Sequence, residues 1–141
     1  MPTPLEPASA DTAQKIPGML ALLASYEGLF GPYHPQTLAL TISLAVALCA
    51  SGHRVDGKRL LERAVRDLNS HYGRYHAARI QALDAWSTCL CQEGNWEAAL
   101  PVQRELLDCR NHVLGHDHPE SLAVRHDLSA TFSRVCAPTR T

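Results

Sequence analysis

The chain has 141 residues, 45% of them apolar and 19% charged, with a formal net charge of −1. That is room for one domain with a real core, which excludes a wholly disordered polymer, and the near-neutral charge excludes a global pull toward nucleic acid or an anionic membrane. No apolar run approaches the roughly 20 residues needed to cross a bilayer.

Residues 1–15 hold three prolines among small and polar residues, without a sustained apolar period, and are expected to form a flexible lead-in. They also lack the basic start and long apolar run of a signal peptide. A first helix is predicted from Ile16 to Phe30, with Pro17 tolerated in its first turn and Gly31 closing it. Pro35 opens a second helix on the stripe Leu38, Ile42, Ala45, Leu48 and Cys49, ended by Gly52. Val55 to Tyr72 is its partner, with Leu60, Leu61, Ala64, Val65 and Leu68 inward and Glu62, Arg63 and Arg66 outward. Ile80, Leu83, Trp86, Leu90 and Cys91 mark the next helix, Trp96 to Leu114 its partner, and Pro119 to Val135 the last. Residues 136–141 read as a tail.

Three stretches share one skeleton. Gly31-Pro-Tyr-His34-Pro-Gln-Thr-Leu38, Gly73-Arg-Tyr-His76-Ala-Ala-Arg-Ile80 and Gly115-His-Asp-His118-Pro-Glu-Ser-Leu122 each set a histidine three residues after a glycine, and the glycines are 42 residues apart each time. A fixed period of this length marks a repeat array whose units bury their apolar faces against their neighbours. Charge alternates along it: residues 52–79 carry seven Lys/Arg and three acids, and residues 80–120 carry two Arg and seven acids. Opposite signs on neighbouring units favour stacking.

Gly94-Asn-Trp96-Glu-Ala-Ala99-Leu-Pro101, followed by Val113-Leu-Gly115-His-Asp-His-Pro119, resembles a tetratricopeptide repeat of the 42-residue kind found in kinesin light chains and bacterial regulators. The resemblance covers about residues 16–135. It implies an all-α solenoid of antiparallel helix pairs, two full pairs flanked by a half repeat at each end, six helices in all. Gly52 and Gly94 stand at turns within pairs, Gly57 and Ala99 where two helices cross closely, and Trp96 over a turn. In the first unit Arg54 replaces the family's aromatic, and in the second Gln103 and Leu106 replace an apolar and a small residue, so looser packing is expected there.

The 42-residue step also compares outer faces. Glu62 and Arg104 fall opposite Leu20, Arg63 and Glu105 opposite Ala21, and Arg66 and Asp108 opposite Ala24. The face charged in both inner copies is apolar in the first helix, whereas terminal units usually present polar faces. Either residues 1–14 fold back over it, with Leu5, or it is an edge for self-association through Leu20, Leu23, Ala24 and Phe30. Leu128 and Phe132 form a second such edge at the other end. A homodimer is expected.

Chemistry is sparse. His112-Val-Leu-Gly115-His116-Asp-His118 is the densest histidine cluster, but Gly115 breaks the helix between His112 and His116, and the recurring His34, His76 and His118 suit helix-end hydrogen bonds. No metal and no cofactor is expected. The five cysteines, Cys49, Cys89, Cys91, Cys109 and Cys136, are odd in number and mostly helical, which fits reduced thiols in the cytoplasm. Cys49 and Cys91 fall at matching places, as small residues at a helix seam. No hydrolase, zinc or phosphate-loop motif is present, so no catalytic residue is assigned.

Binding suits the architecture better. In the register of the resembled family, the concave side would present Ala39, Ile42, Val46 and Cys49, then Gln81, Asp84, Thr88 and Gln92, then His126, Ala130 and Arg134. The binding residues expected from this are Ile42, Val46, Gln81, Asp84, Thr88, Gln92, His126 and Arg134. The lining suits a peptide or helix with an apolar anchor and a basic residue for Asp84. The leading expectation is a non-enzymatic protein-interaction scaffold. The alternatives are an accessory enzyme or small-ligand protein of a bacterial biosynthetic pathway, its pocket at a dimer interface using Asp84, His126 and a thiol, and a structural subunit whose apolar edge is its function.

Overall fold

The computed structural model describes residues 8–136, with side chains from Gln14 onward. Six helices make up nearly all of it: α1 (Ala8–Phe30), α2 (Pro35–Ala50), α3 (Arg54–Tyr72), α4 (Ala77–Gln92), α5 (Trp96–Leu114) and α6 (Pro119–Cys136). The limits expected from the turn glycines agree closely with α2 to α6. The start of α1 differs, since the helix begins at Ala8 and Pro17 lies in its interior, not in its first turn. The segment Ala-Ser-Ala-Asp-Thr-Ala-Gln before Lys15 includes three alanines, whose helix propensity offsets the single backbone hydrogen bond that Pro17 forgoes. Residues 8–14 therefore extend the helix and do not fold back over it. The rest of the lead-in, Leu5 included, and residues 137–141 lie outside the described residues.

The three connectors between units are built alike. Gly73 and Gly115 take φ of 99° and 95°, a region a side chain would strain, and so reverse the chain directly after α3 and α5. Three residues later a histidine caps the next helix. Nδ1 of His34, His76 and His118 accepts the backbone N–H of Gln36, Ala78 and Glu120, each at 3.1 Å. This satisfies one of the otherwise unpaired donors of a helix start and accounts for the periodic histidines without a ligand.

Each helix packs on the next in sequence, and α2 also packs on α4. Leu38, Ile42, Leu61, Leu68, Leu83, Leu90 and Val102 belong to a single core cluster that runs along the array. Gly57 marks the closest crossing: a Cβ there would stand 2.5 Å from Cys49 Sγ and 2.8 Å from the Ala45 carbonyl oxygen. The alternating charge expected from the sequence is realised as ion pairs between the two segments. Lys58 reaches Glu93 at 2.6 Å, Arg74 holds Glu105 at 2.8 Å and also pairs with Asp108, and Arg79 meets Glu105 at 3.0 Å.

The stacking is uneven along the array. The backbones of α2 and α4 come together, but those of α4 and α6 do not. At the junction of the first pair stand Leu61 and Ala64; one period on, the same places hold Gln103 and Leu106, all four buried. The small Ala64 stands at the closed junction and the larger Leu106 at the open one. The solenoid opens between α4 and α6.

Candidate partner-binding groove

The opening is a cavity of about 370 Å³ between α4, α5 and α6. Helix α4 supplies Asp84, Ser87, Thr88, Cys91 and Gln92 to it, at the three- and four-residue steps that keep side chains on one face. Trp96, Gln103 and Leu106 of α5 also line it, and α6 contributes Val124, Asp127, Ala130, Thr131 and Arg134. A second cavity of about 270 Å³ adjoins along the concave side, sharing Thr88 and Gln92 and adding Val46, Ala50 and Ala85.

The lining has two chemical halves. Arg134 lays its guanidinium over the Trp96 ring at 4.5 Å from the centroid, a cation–π contact that stiffens one wall. Asp84 and Asp127 put negative charge on the other elements, and Asp84 lies 3.8 Å from Arg110, which also bonds Glu120 at 2.5 Å. Gln103 is buried; its Nε2 donates to Cys91 Sγ at 3.5 Å, and its Oε1 meets no donor among the described residues. The first unit has the apolar Leu61 at the matching place.

Of the residues expected to bind, Asp84, Thr88, Gln92 and Arg134 converge on the larger cavity, and Val46 lies beside them in the smaller one. Ile42 is only 4% exposed and belongs to the core, where α2 and α4 approach closely. Gln81 and His126 are exposed but line neither cavity; Asp127 takes the place expected of His126 because α6 stands away from α4. The set Asp84, His126 and a thiol is therefore not assembled within this chain's cavity. Sequence reasoning did not place Ser87, Gln103 or Asp127 in the groove. Gln103 was recognisable as a polar residue at a core position of the repeat, and the other two follow only from the splay of α6.

At the ends, α1 leaves Leu20, Leu22 and Leu29 exposed, Leu29 at 77%, and Ala24 and Phe30 with them. Leu23, expected at this edge, is 8% exposed and belongs to the buried set. Phe30 is part of an aromatic chain, edge-on to Tyr26 at 5.6 Å and tilted on His34 at 4.7 Å. On α6, Phe132 and Leu122 are exposed and Leu128 half-buried, with Leu128 and Phe132 beside a shallow cavity that Arg104 also lines.

Among the described residues no three His, Cys, Asp or Glu side chains converge as metal ligands. His112 stacks on Tyr75 at 3.8 Å and His118 caps α6. Burial pushes the Cys109 thiol up, with the Glu105 carboxylate adding to the effect. The Arg74 hydrogen bond, reinforced by Arg79, holds the Glu105 carboxyl down at about 2. None of these groups lines the cavity. No helix among the described residues is long and apolar enough to cross a membrane.

Residues 87–120, the second half of α4 through the start of α6, match the family model of the tetratricopeptide repeat. That segment matches one repeat, and the chain as a whole has a helical solenoid fold like that of tetratricopeptide-repeat proteins. Solved structures with the same architecture include the TPR-like repeats of a protein reported as a kinesin light chain from Podosopora anserina, at a TM-score of 0.79 and 20% identity over 89% of this chain. A single-residue variant of those repeats gives the same values. This solenoid spans 60% of the first of those chains and 59% of the second, and at such identity the likeness is one of fold. No curated protein matches the chain.

Proposed function

We propose that this solenoid is a non-enzymatic interaction module that takes a peptide or a helix of a protein partner into the groove between α4 and α6. The observation that carries the reading is the cavity itself: open on the concave side, floored by Leu106 and Val124, walled by Trp96, and edged by Asp84 and Asp127. An apolar anchor suits the floor, and a Lys or Arg next to it suits the two carboxylates. The fold favours the same kind of use, because stacked helix pairs make extended concave surfaces. The apolar outer face of α1 supports self-association as a companion property.

The test is selection of displayed peptides on the full chain, followed by affinity measurements on the selected sequences using Trp fluorescence. Peptides pairing an apolar residue with a basic one should be enriched. Thr88→Arg, which fills the cavity and adds positive charge, should weaken them more than tenfold with helicity retained, and Asp84→Ala several-fold. Equal binding to the wild type and Thr88→Arg would place the partner elsewhere.

A further inference from the structure

The sequence period sets Cys49 opposite Cys91, yet the thiols that meet are Cys49 on α2 and Cys89 on α4. Cys89 Sγ donates to Cys49 Sγ at 2.7 Å, both residues being buried. Cys49 is hemmed in on the other side by the Gly57 crossing, where even a Cβ would stand 2.5 Å from its sulfur. The pair is not sealed off. Both cysteines line the smaller concave cavity of about 270 Å³, together with Val46, Ala85, Thr88 and Gln92.

We propose that Cys49 and Cys89 form a reversible dithiol–disulfide site, oxidised by a hydroperoxide that enters from the concave side, which ties α2 of the first unit to α4 of the second where the two helices meet. The sulfur of one cysteine attacks a peroxide oxygen, the O–O bond breaks, and water or an alcohol leaves, giving a sulfenic acid. The second sulfur displaces the sulfenic oxygen, which departs as water with the second thiol's proton. One S–S bond is formed, the two thiols lose two electrons, and the peroxide gains them. Burial, then the hydrogen bond with Cys89, push the Cys49 thiol up, which keeps it protonated and disfavours adventitious oxidation. Cys91 faces away toward Gln103, and Cys136 is exposed at the end of α6. Neither competes for the bond by proximity. The proposal does not depend on what the groove binds.

The experiment uses the full chain carrying Cys136→Ser, to suppress links between molecules, incubated with hydrogen peroxide and then blocked with a thiol reagent. The expected result is an intact mass about 2 Da below that of the reduced chain, read before blocking, and a tryptic species joining residues 16–54 to residues 80–104. The link should survive Cys91→Ser and be absent in Cys89→Ser. It should raise the melting temperature by about 10 °C, reversibly with dithiothreitol. The cross-link and mass readouts need no mutation in the core, so they remain decisive if Cys89→Ser folds poorly. Unchanged mass, a link through Cys91, or gain of oxygen as sulfinic or sulfonic acid without a link would each overturn the proposal.

Discussion

Glu105 concentrates the seam between the units in one side chain. It accepts from Arg74 at 2.8 Å and from Arg79 at 3.0 Å, and these contacts lower its carboxyl from 4.5 to about 2. A depressed carboxylate stabilises the fold above its unfolded value and ceases to as pH falls toward its folded one. Melting temperature in the wild type should therefore drop between about pH 4.5 and pH 2, and Glu105→Gln should remove that part of the dependence. At neutral pH the same change leaves Arg79, which is 8% exposed, short of an acceptor, at a cost of about 1–3 kcal/mol. Thermal melts of both proteins across the acid range check the sign. Two helix glycines give the matching experiment for packing. Gly57→Ala drives a methyl into Cys49 and the Ala45 carbonyl, an overpacked crossing expected to cost about 1–3 kcal/mol. Gly18→Ala meets nothing within 4 Å and should gain about 0.4–1 kcal/mol by restricting the unfolded chain. Chemical denaturation of the pair separates steric crowding from helix propensity.

At the level of the helices, the connectors explain why so much of this fold is legible in the sequence. Glycine closes one helix and histidine caps the next at a constant offset, so each turn declares two boundaries, and the inward stripes follow from the 3.6-residue repeat. If the histidine is a cap, its chemistry is replaceable. His118→Ala should cost about 1 kcal/mol, while His118→Asp should hold or regain that stability, since a carboxylate accepts the same N–H and also suits the positive end of the α6 dipole. Equal loss in both variants, by urea titration, would mean the ring is needed for something besides its acceptor. The sequence was less legible where helices choose between neighbours. Asp84, Thr88, Gln92 and Arg134 could be assigned to a common surface through the register of the resembled family. Closure of Ile42 depends on the close approach of α2 and α4, and the place of Asp127 in the cavity on the separation of α4 and α6. The contact of Cys49 with Cys89, not Cys91, likewise reflects which side of α4 turns toward α2. The early start of α1 was hidden by prolines that discount helix locally, although the alanines around them favour it.

For the molecule as a whole, the inner and outer repeats differ in what they show to solvent. Glu62, Arg63 and Arg66 on α3 and Arg104 and Asp108 on α5 are exposed charges, whereas one period earlier α1 exposes Leu20, Ala21 and Ala24. Adjacent Leu22 and Leu29 widen that patch. Because α1 packs only on α2, and residues 8–14 continue it in line, nothing among the described residues shields this face. A solenoid is a sum of neighbour interfaces, and an unpaired apolar end is completed by adding another interface. The outer face of α1 should therefore associate with a second copy in solution. Sedimentation equilibrium on the native chain should give twice the protomer mass of 15.4 kDa, and Leu20→Glu should return it to the single value without loss of helicity, since Leu20 is 52% exposed and lies outside the core. Phe132→Glu on α6 distinguishes the two ends: association through α1 alone survives it, whereas a joint between α1 of one copy and α6 of the next does not. A native chain that sediments as a single protomer at all accessible concentrations would leave the groove between α4 and α6 as the sole surface proposed for partners.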